Sequence, residues 1–557
     1  MNGMRRRIAV LFLFTLLILA SAHAFQATPV RVADAGCEKC HRTIFEKYLS
    51  TPMAHASGVA EENLIPGTFP HAPSGVEYVI SNAHGRPRLS FQSKKRPDVT
   101  GQYPLSYFLG SGHLGTTYLY QLHNYLFESP VAWYAAAQAY DMKPGLAEMT
   151  EVPPSLPMQS SCLRCHMSGV QHSDPGTINR YSSLPFLHGG ITCEACHGDA
   201  QRHVSSAGKA PIVNPAHLDP DRRDSVCISC HLEGDVSVER AGHSALDYRP
   251  GESISDYLAF YVYSGNNLTA RGVSEVEQLA ESTCKRMSGD KMSCTSCHDP
   301  HFTPAPEQRA VFFRAKCLTC HNHPQFAQSH HPENPDCTSC HMRHTGAENI
   351  PHVAWTDHRI LRVPASQDSG AEHTQSAELS PVFSPGATQR DLAMAYYQAL
   401  REGDSSVEPK AWKLLQEQRG SIGNDAAALD AFGLLSAEHG KNHDAEEAFH
   451  QVLKLDPHDL TALSNLGTLE AKEGRLQSSV DLLRSAFEAN EDVTGLAMNL
   501  ARVQCMEGDA SGARATLDAA LVYGPGVEAL RRMRDQMAEC KADKPGKDAA
   551  TTQAPTR

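Results

Sequence analysis

The sequence predicts a mainly α protein with a small β-rich insertion in its first half and an α-solenoid in its second. Three observations carry this reading. A Cys-x-x-Cys-His set recurs seven times between Cys37 and His341. Glycines recur at a spacing of 34 residues, at Gly440, Gly474 and Gly508. Alternating apolar and polar residues occur over a short stretch near Val76 to Gln92. The net charge of -13 argues against a nucleic-acid partner. With 41% hydrophobic and 7% aromatic residues, the chain is lean in core-forming side chains for its length.

The first residues are not expected to belong to the fold. Arg5, Arg6 and Arg7 precede an apolar run from Ile8 to Ala20, and Ala22-His23-Ala24 follows as a small-x-small cleavage site. This is the pattern of a secretory signal peptide over residues 1–24, so a periplasmic or otherwise exported protein is expected. No later apolar run is long enough to span a membrane.

The seven sets are Cys37/Cys40/His41 (site 1), Cys162/Cys165/His166 (site 2), Cys193/Cys196/His197 (site 3) and Cys227/Cys230/His231 (site 4). Cys294/Cys297/His298 (site 5), Cys317/Cys320/His321 (site 6) and Cys337/Cys340/His341 (site 7) complete them. Two thiols three residues apart sit on one side of a helical turn. Each can form a thioether to one vinyl group of a single haem, and the adjacent histidine can bind the iron. A tetrahedral zinc site needs two cysteine pairs, and a redox Cys-x-x-Cys needs no histidine. The expected cofactor is therefore haem c with its iron, seven times and covalently bound. Haems packed within so short a stretch would form a chain for electrons. They would also supply apolar interior. Fourteen of the 17 cysteines are used in this way. Cys284, Cys505 and Cys540 remain as small apolar residues, with a disulfide between the last two left open.

Besides the set residues, residues 25–366 hold 17 more histidines, over twice the number needed for a second histidine on each iron. His203 lies too close to site 3 to fold back over its own haem, so it would ligate a neighbour. His301 follows site 5 with the same logic. His352 and His358 lie beyond site 7 and can fold back. His55 follows site 1, and His113, His188 and His217 are further candidates.

These segments resemble a known family. Gly190-Ile-Thr-Cys-Glu-Ala-Cys-His-Gly198 with His203 resembles a segment of the cytochrome c-552/c-554 type of multihaem cytochromes. Cys37-Glu-Lys-Cys-His41 with Thr51-Pro-Met-Ala-His55 is similar to that family's opening. Ser293 to His301 and Thr356 to Ile360 resemble multihaem cytochromes fused to tetratricopeptide repeats. The resemblance implies an exported electron carrier with short helices and loops around stacked haems, and a second histidine on each iron at His55, His203, His301, His352 and His358. Asp199 stands where the family usually has proline, and the family's small members carry four haems. Related haem arrangements also occur in enzymes, so an oxidoreductase acting on a small nitrogen or sulfur compound at one five-coordinate haem remains the alternative.

Along the chain, Val76–Ser81 and Arg88–Gln92 flank a turn at Asn82–Gly85 and read as a hairpin. Tyr103 to Tyr134 is rich in aromatic and β-branched residues, so about 75–150 reads as the β-rich insertion within a haem domain over 25–365. A linker is expected over 366–389, because Ser, Gly, Pro and Ala dominate there. Residues 390–540 resemble tetratricopeptide repeats. Gly433 and Gly467 share the 34-residue period with Ala501, and Phe449, Leu483 and Leu517 repeat likewise. Such repeats stack into an array with a concave face, here expected to dock redox partner proteins or to mediate self-association. A disordered tail is expected over 541–557.

Overall fold

A computed structural model describes residues 34–537 and 540, apart from 84, 153–154, 265–271, 324, 327–329, 331–333, 335, 348–349, 363–377 and 384–385. The signal peptide, most of the expected linker and the expected tail lie outside these residues.

Helix α1 (Ala35–Tyr48) carries site 1. Nine strands follow: β1 (Ser57–Val59), β2 (Gly67–His71), β3 (Val76–Ala83), β4 (Arg86–Ser93), β5 (Thr100–Leu109), β6 (Gly115–Leu122), β7 (Tyr125–Glu128), β8 (Val131–Tyr134) and β9 (Ala139–Met142). With the short strand Leu156–Pro157 they form a ten-stranded sheet. The order is Leu156–Pro157, β7, β6, β5, β4, β3, β2, with β1 on β5 and β8 between β6 and β9. The expected hairpin is β3–β4, with Val76 opposite Ser93. Its inward face follows the period of two: Val76, Tyr78 and Ile80 on β3 meet Leu89 and Phe91 on β4 in one core. His123 and Asn124 have φ of 51° and 70°, the conformation a tight two-residue turn between β6 and β7 requires. The sheet is larger than the expected insertion. It starts before residue 75 and ends after 150, because β1, β2 and Leu156–Pro157 are too short to show a periodic pattern.

The next stretch holds sites 2–7 on single turns and short helices. The longer elements are α2 (Pro220–His231), β10 (Val236–Glu239), β11 (Leu258–Tyr263) and α3 (Arg309–Leu318). Strand β12 (Leu379–Pro381) pairs with β11. The linker reading is corrected here. Leu379 is buried, and proline at the end of an edge strand removes no hydrogen bond that the ladder needs.

The rest is helical: α4 (Gln389–Arg401), α5 (Glu408–Gln418), α6 (Ala426–Glu438), α7 (Asn442–Leu455), α8 (Leu460–Lys472), α9 (Leu476–Ala489), α10 (Thr494–Met506), α11 (Ala510–Tyr523) and α12 (Glu528–Gln536). Consecutive helices pack as antiparallel pairs. Two glycine series serve different needs. Gly440, Gly474 and Gly508 end helices at φ of 71°, 82° and 90°. Gly433 and Gly467 make room: a Cβ on Gly433 would lie 2.7 Å from the Phe449 ring, and one on Gly467 would lie 2.8 Å from Leu483. A Cys505–Cys540 disulfide ties the segment after α12 to α10, which settles the open reading of those two cysteines.

This array is fastened to the first half at two places. At one end, β10, β11 and β12 share a core with α4–α8. The buried Asp391 of α4 accepts from Arg240 at 2.6 Å, and Arg390 donates to the Glu239 carbonyl at 2.6 Å. At the other end, Tyr523 joins the core of the large sheet. There Arg96 pairs with Glu528 and Arg531 with Asp98. The Asn490 side chain donates to Gly176 O at 2.8 Å and accepts from Ile178 N–H at 3.0 Å. Among the described residues, no helix is long and apolar enough to cross a membrane.

Candidate haem-binding centre

Each set is built on a helical turn. In sites 3, 5, 6 and 7 the histidine N–H donates to the carbonyl of the first cysteine, at 2.9, 3.0, 3.0 and 3.0 Å respectively. That bond winds the set into one turn and places both thiols on the same side. Local sequence supports the turns. Asp219 caps α2 by accepting from Arg222 N–H at 3.1 Å, and Asp336 accepts from Thr338 N–H at 3.0 Å to start the site 7 turn. In α1 the helix breaks at His41, whose φ is -114° and ψ 33°, which turns its imidazole out of the helical path.

Four set histidines face a second histidine. His41 lies opposite His203 with ring centroids 6.3 Å apart and planes 16° from parallel. His197 and His301 are 6.0 Å and 11° apart. His298 and His358 are 6.3 Å and 32° apart, and His341 and His330 are 5.9 Å and 21° apart. An imidazole nitrogen binds a first-row metal at about 2 Å, so two imidazoles on opposite faces of one iron have centroids about 6 Å apart. The donor set therefore fits haem at these four places: two thiols on one turn, a proximal imidazole and a facing imidazole.

The outer contacts fit as well. His197 Nδ1 donates to Val213 O at 2.8 Å and His203 Nδ1 to Ala210 O at 2.8 Å. His341 Nδ1 donates to Leu361 O at 2.6 Å and His358 Nδ1 to Thr356 O at 2.8 Å. A carbonyl on Nδ1–H fixes the tautomer, leaves Nε2 as the ligand atom and makes it more basic. Burial pushes the His298 imidazole down to about 4, so it is neutral with its lone pair free for a metal. Burial also lowers His166.

The thiols differ in their surroundings. Cys40 and Cys320 are exposed, and the other set cysteines are partly buried. Cys340, expected as a thioether position of site 7, accepts from Ser339 Oγ at 3.9 Å. The other thiol of that site, Cys337, lies beside Cys317 of site 6. Cys320 likewise accepts from Thr319 Oγ1 at 3.9 Å. A thioether sulfur keeps a lone pair for such a hydroxyl, so these contacts and attachment are compatible. Cys297 of site 5 lies near Cys284 and Cys320.

Other candidates stand elsewhere. His55 Nε2 donates to Leu49 O at 2.6 Å, and the structure does not bring its ring opposite a set histidine. His352 Nε2 lies 2.8 Å from Asp141 Oδ2, with its ring against Tyr134. His321 stacks on Phe326 at 5.0 Å. His330 was one histidine among many in a His-rich run, and no spacing singled it out. Asp34 was also missed. It is buried, accepts from Cys193 N–H at 2.9 Å, and lies with the Cys37 and Cys193 thiols inside a cluster whose ligand atoms are within 4.8 Å of one another. A three-ligand metal site there would compete for thiols that sites 1 and 3 need.

Comparison with known proteins gives a partial match. The family model for cytochrome c554 and c-prime matches residues 132–198, which hold sites 2 and 3. No curated protein matches the chain. Among solved structures, MamA AMB-1 is similar at 20% identity, covering 27% of this chain and 79% of its own, with a TM-score of 0.24. MamA MSR-1 is similar at 18% identity over 27% of this chain and 83% of its own, with a TM-score of 0.24. Pseudomonas aeruginosa pilF is similar at 18% identity over 27% and 69%, with a TM-score of 0.24. The stretch holding sites 2 and 3 is thus similar to c-type cytochromes, electron-transfer proteins that carry covalent haem.

Proposed function

We propose that this chain is an exported electron-transfer protein that holds seven covalent haems c and uses its helical array to engage redox partners. The observation that carries the reading is the set of four facing histidine pairs about 6 Å apart, each with one member in a Cys-x-x-Cys-His turn. Haem, when bound, supplies a one-electron iron couple. The chain does the rest. Paired thiols fix position covalently. The facing imidazoles at His203, His301, His330 and His358 would hold the iron from the side opposite the set histidine. Backbone carbonyls at Val213, Ala210, Leu361 and Thr356 set the basicity of those imidazoles and so tune the potential. Seven such groups held close together would pass electrons from one to the next with no bond made or broken, and the chain's part is to hold them in place.

The test is the full chain produced in a host that exports it and attaches c-type haem. The expected product has lost residues 1–24, has gained the mass of seven haems, and shows low-spin spectra that do not respond to carbon monoxide or nitrite. A product with fewer haems, or one retaining its first residues, overturns the corresponding part. A high-spin signal that binds nitrite moves the reading to an oxidoreductase.

A further inference from the structure

We infer that site 4, at the C-terminal end of α2, is the junction of the relay, in edge contact with sites 2, 3 and 5, so that the order in space departs from the order along the chain. This rests on the haem reading above. Thioether carbons stand on the rim of the porphyrin, so two sets whose thiols meet bring two rims together. Two facing histidines would bind one iron, so a facing pair by itself fixes a single site and not the distance between two. Thiol proximity is therefore the better guide to neighbours.

Site 4 meets site 2 through Cys230. Its thiol contacts the Cys165 thiol and lies 4.0 Å from Arg164 O, while the Arg164 guanidinium reaches back to Ser229 O. It meets site 5 through Cys227, whose thiol contacts that of Cys294. Lys285 bridges the same two sites, pairing with Asp224 of α2 at 4.0 Å and donating to Met292 O at 2.7 Å. It faces site 3 across a shared electrostatic neighbourhood, in which the Cys196 and Cys230 thiols and the Tyr248 hydroxyl act on one another. Elsewhere the pattern is linear. Cys37 and Cys193 join sites 1 and 3 around Asp34. Phe313 of α3, four residues before Cys317, packs on His298 at 5.7 Å and joins sites 5 and 6. Cys317 beside Cys337, with the Arg314 guanidinium 3.9 Å from the Cys337 thiol, joins sites 6 and 7. The path reads 1–3–4–5–6–7, with site 2 as a spur on site 4. The exposed thioether positions, Cys40 and Cys320, belong to sites 1 and 6, at or next to its two ends.

The test uses the holoprotein and reads equilibrium potentials. Neighbouring haems repel electrons from one another, so deleting one shifts the midpoints of those beside it most. Cys227→Ala with Cys230→Ala deletes site 4, and Cys162→Ala with Cys165→Ala deletes site 2. Haem-resolved redox titration, by NMR of the haem methyl groups, is expected to show three shifted midpoints in the first variant and one in the second. One shifted midpoint in both, or shifts confined to sites adjacent in sequence, overturns the junction. His231→Met covers the case in which the deletion does not fold. It retains the haem and raises its potential, and the same three neighbours must respond. A parent protein without seven haems counts against the function itself. A seven-haem parent with a different pattern of shifts counts only against the order.

Discussion

The large sheet and the helical array bury their own hydrocarbon throughout, whereas in the stretch that carries sites 3–7 the buried apolar residues gather around α2 and β11, where Ile228, Leu232, Leu258 and Phe260 pack together, and the turns of sites 3 and 7 and α3 add none. In the sheet Tyr78, Tyr107, Tyr118 and Phe127 are fully buried, and in the array Phe449, Leu483 and Leu517 are. By contrast α3 has no buried residue although it carries Val311, Phe312 and Phe313, and Val311 is 68% exposed. The single-turn helices of sites 3 and 7 bury none either. The difference teaches that one chain draws on two sources of interior. One is side chains in regular elements. The other, on the function proposed above, would be a large apolar prosthetic group fixed by local covalent bonds, which would let turns and loops pack where side chains bury little.

The strongest way to break that contrast is to withhold haem. Chain made without c-haem attachment is expected to lose protease protection across 294–361 and to keep it in the sheet, in the core of α2 and β11 and in α6–α11, as read by limited digestion and peptide masses. Equal protection everywhere would mean that the segment with sites 5–7 packs without a prosthetic group. Next in size is Phe449→Ala, which empties the space against Gly433 and is expected to cost about 3–5 kcal/mol by denaturant unfolding of the array. The haem absorption should not change. Asn490→Ala tests the seam between the two halves. It leaves Ile178 N–H and Gly176 O without their partner and is expected to cost about 1–3 kcal/mol.

A pH dependence follows from Asp430 in α6. Burial, with Asp459 beside it, pushes its carboxyl up to about 9. The folded state thus binds a proton that the unfolded chain releases near pH 4, and stability falls as pH rises from about 4 towards 9. Asp430→Asn is expected to flatten that slope, raising the melting temperature at pH 8 and leaving it unchanged near pH 4. The smallest expected effect is that of His55→Ala. With its Nε2 on the Leu49 carbonyl, its loss should leave every low-spin signal in place, whereas His301→Ala should turn one haem high-spin.

How much was legible depends on sequence distance. The hairpin at Val76–Ser93 and the repeats at Gly433 and Gly467 were legible because each is stated by its own period. For His203 and His301, crowding against their own sets said that they must serve a neighbour, and the structure stands them opposite His41 and His197. His352, expected to fold back from beyond site 7, lies against Asp141, a partner 211 residues away in the chain. The strand at Leu379–Pro381 was hidden in linker composition, since an edge strand of three residues leaves no alternation to read.

The sequence by itself determined where porphyrin attachment is chemically feasible and where helices repeat. Both are decided within a few residues, by thiol and imidazole spacing and by helical geometry. Only the tertiary structure decided which imidazole faces which, that the Cys230 thiol of α2 comes to Arg164 beside site 2, and that the array is clasped to the first half at Asn490 and Tyr523. Those are contacts between segments far apart in the chain, and no local spacing encodes the path by which the backbone brings them together.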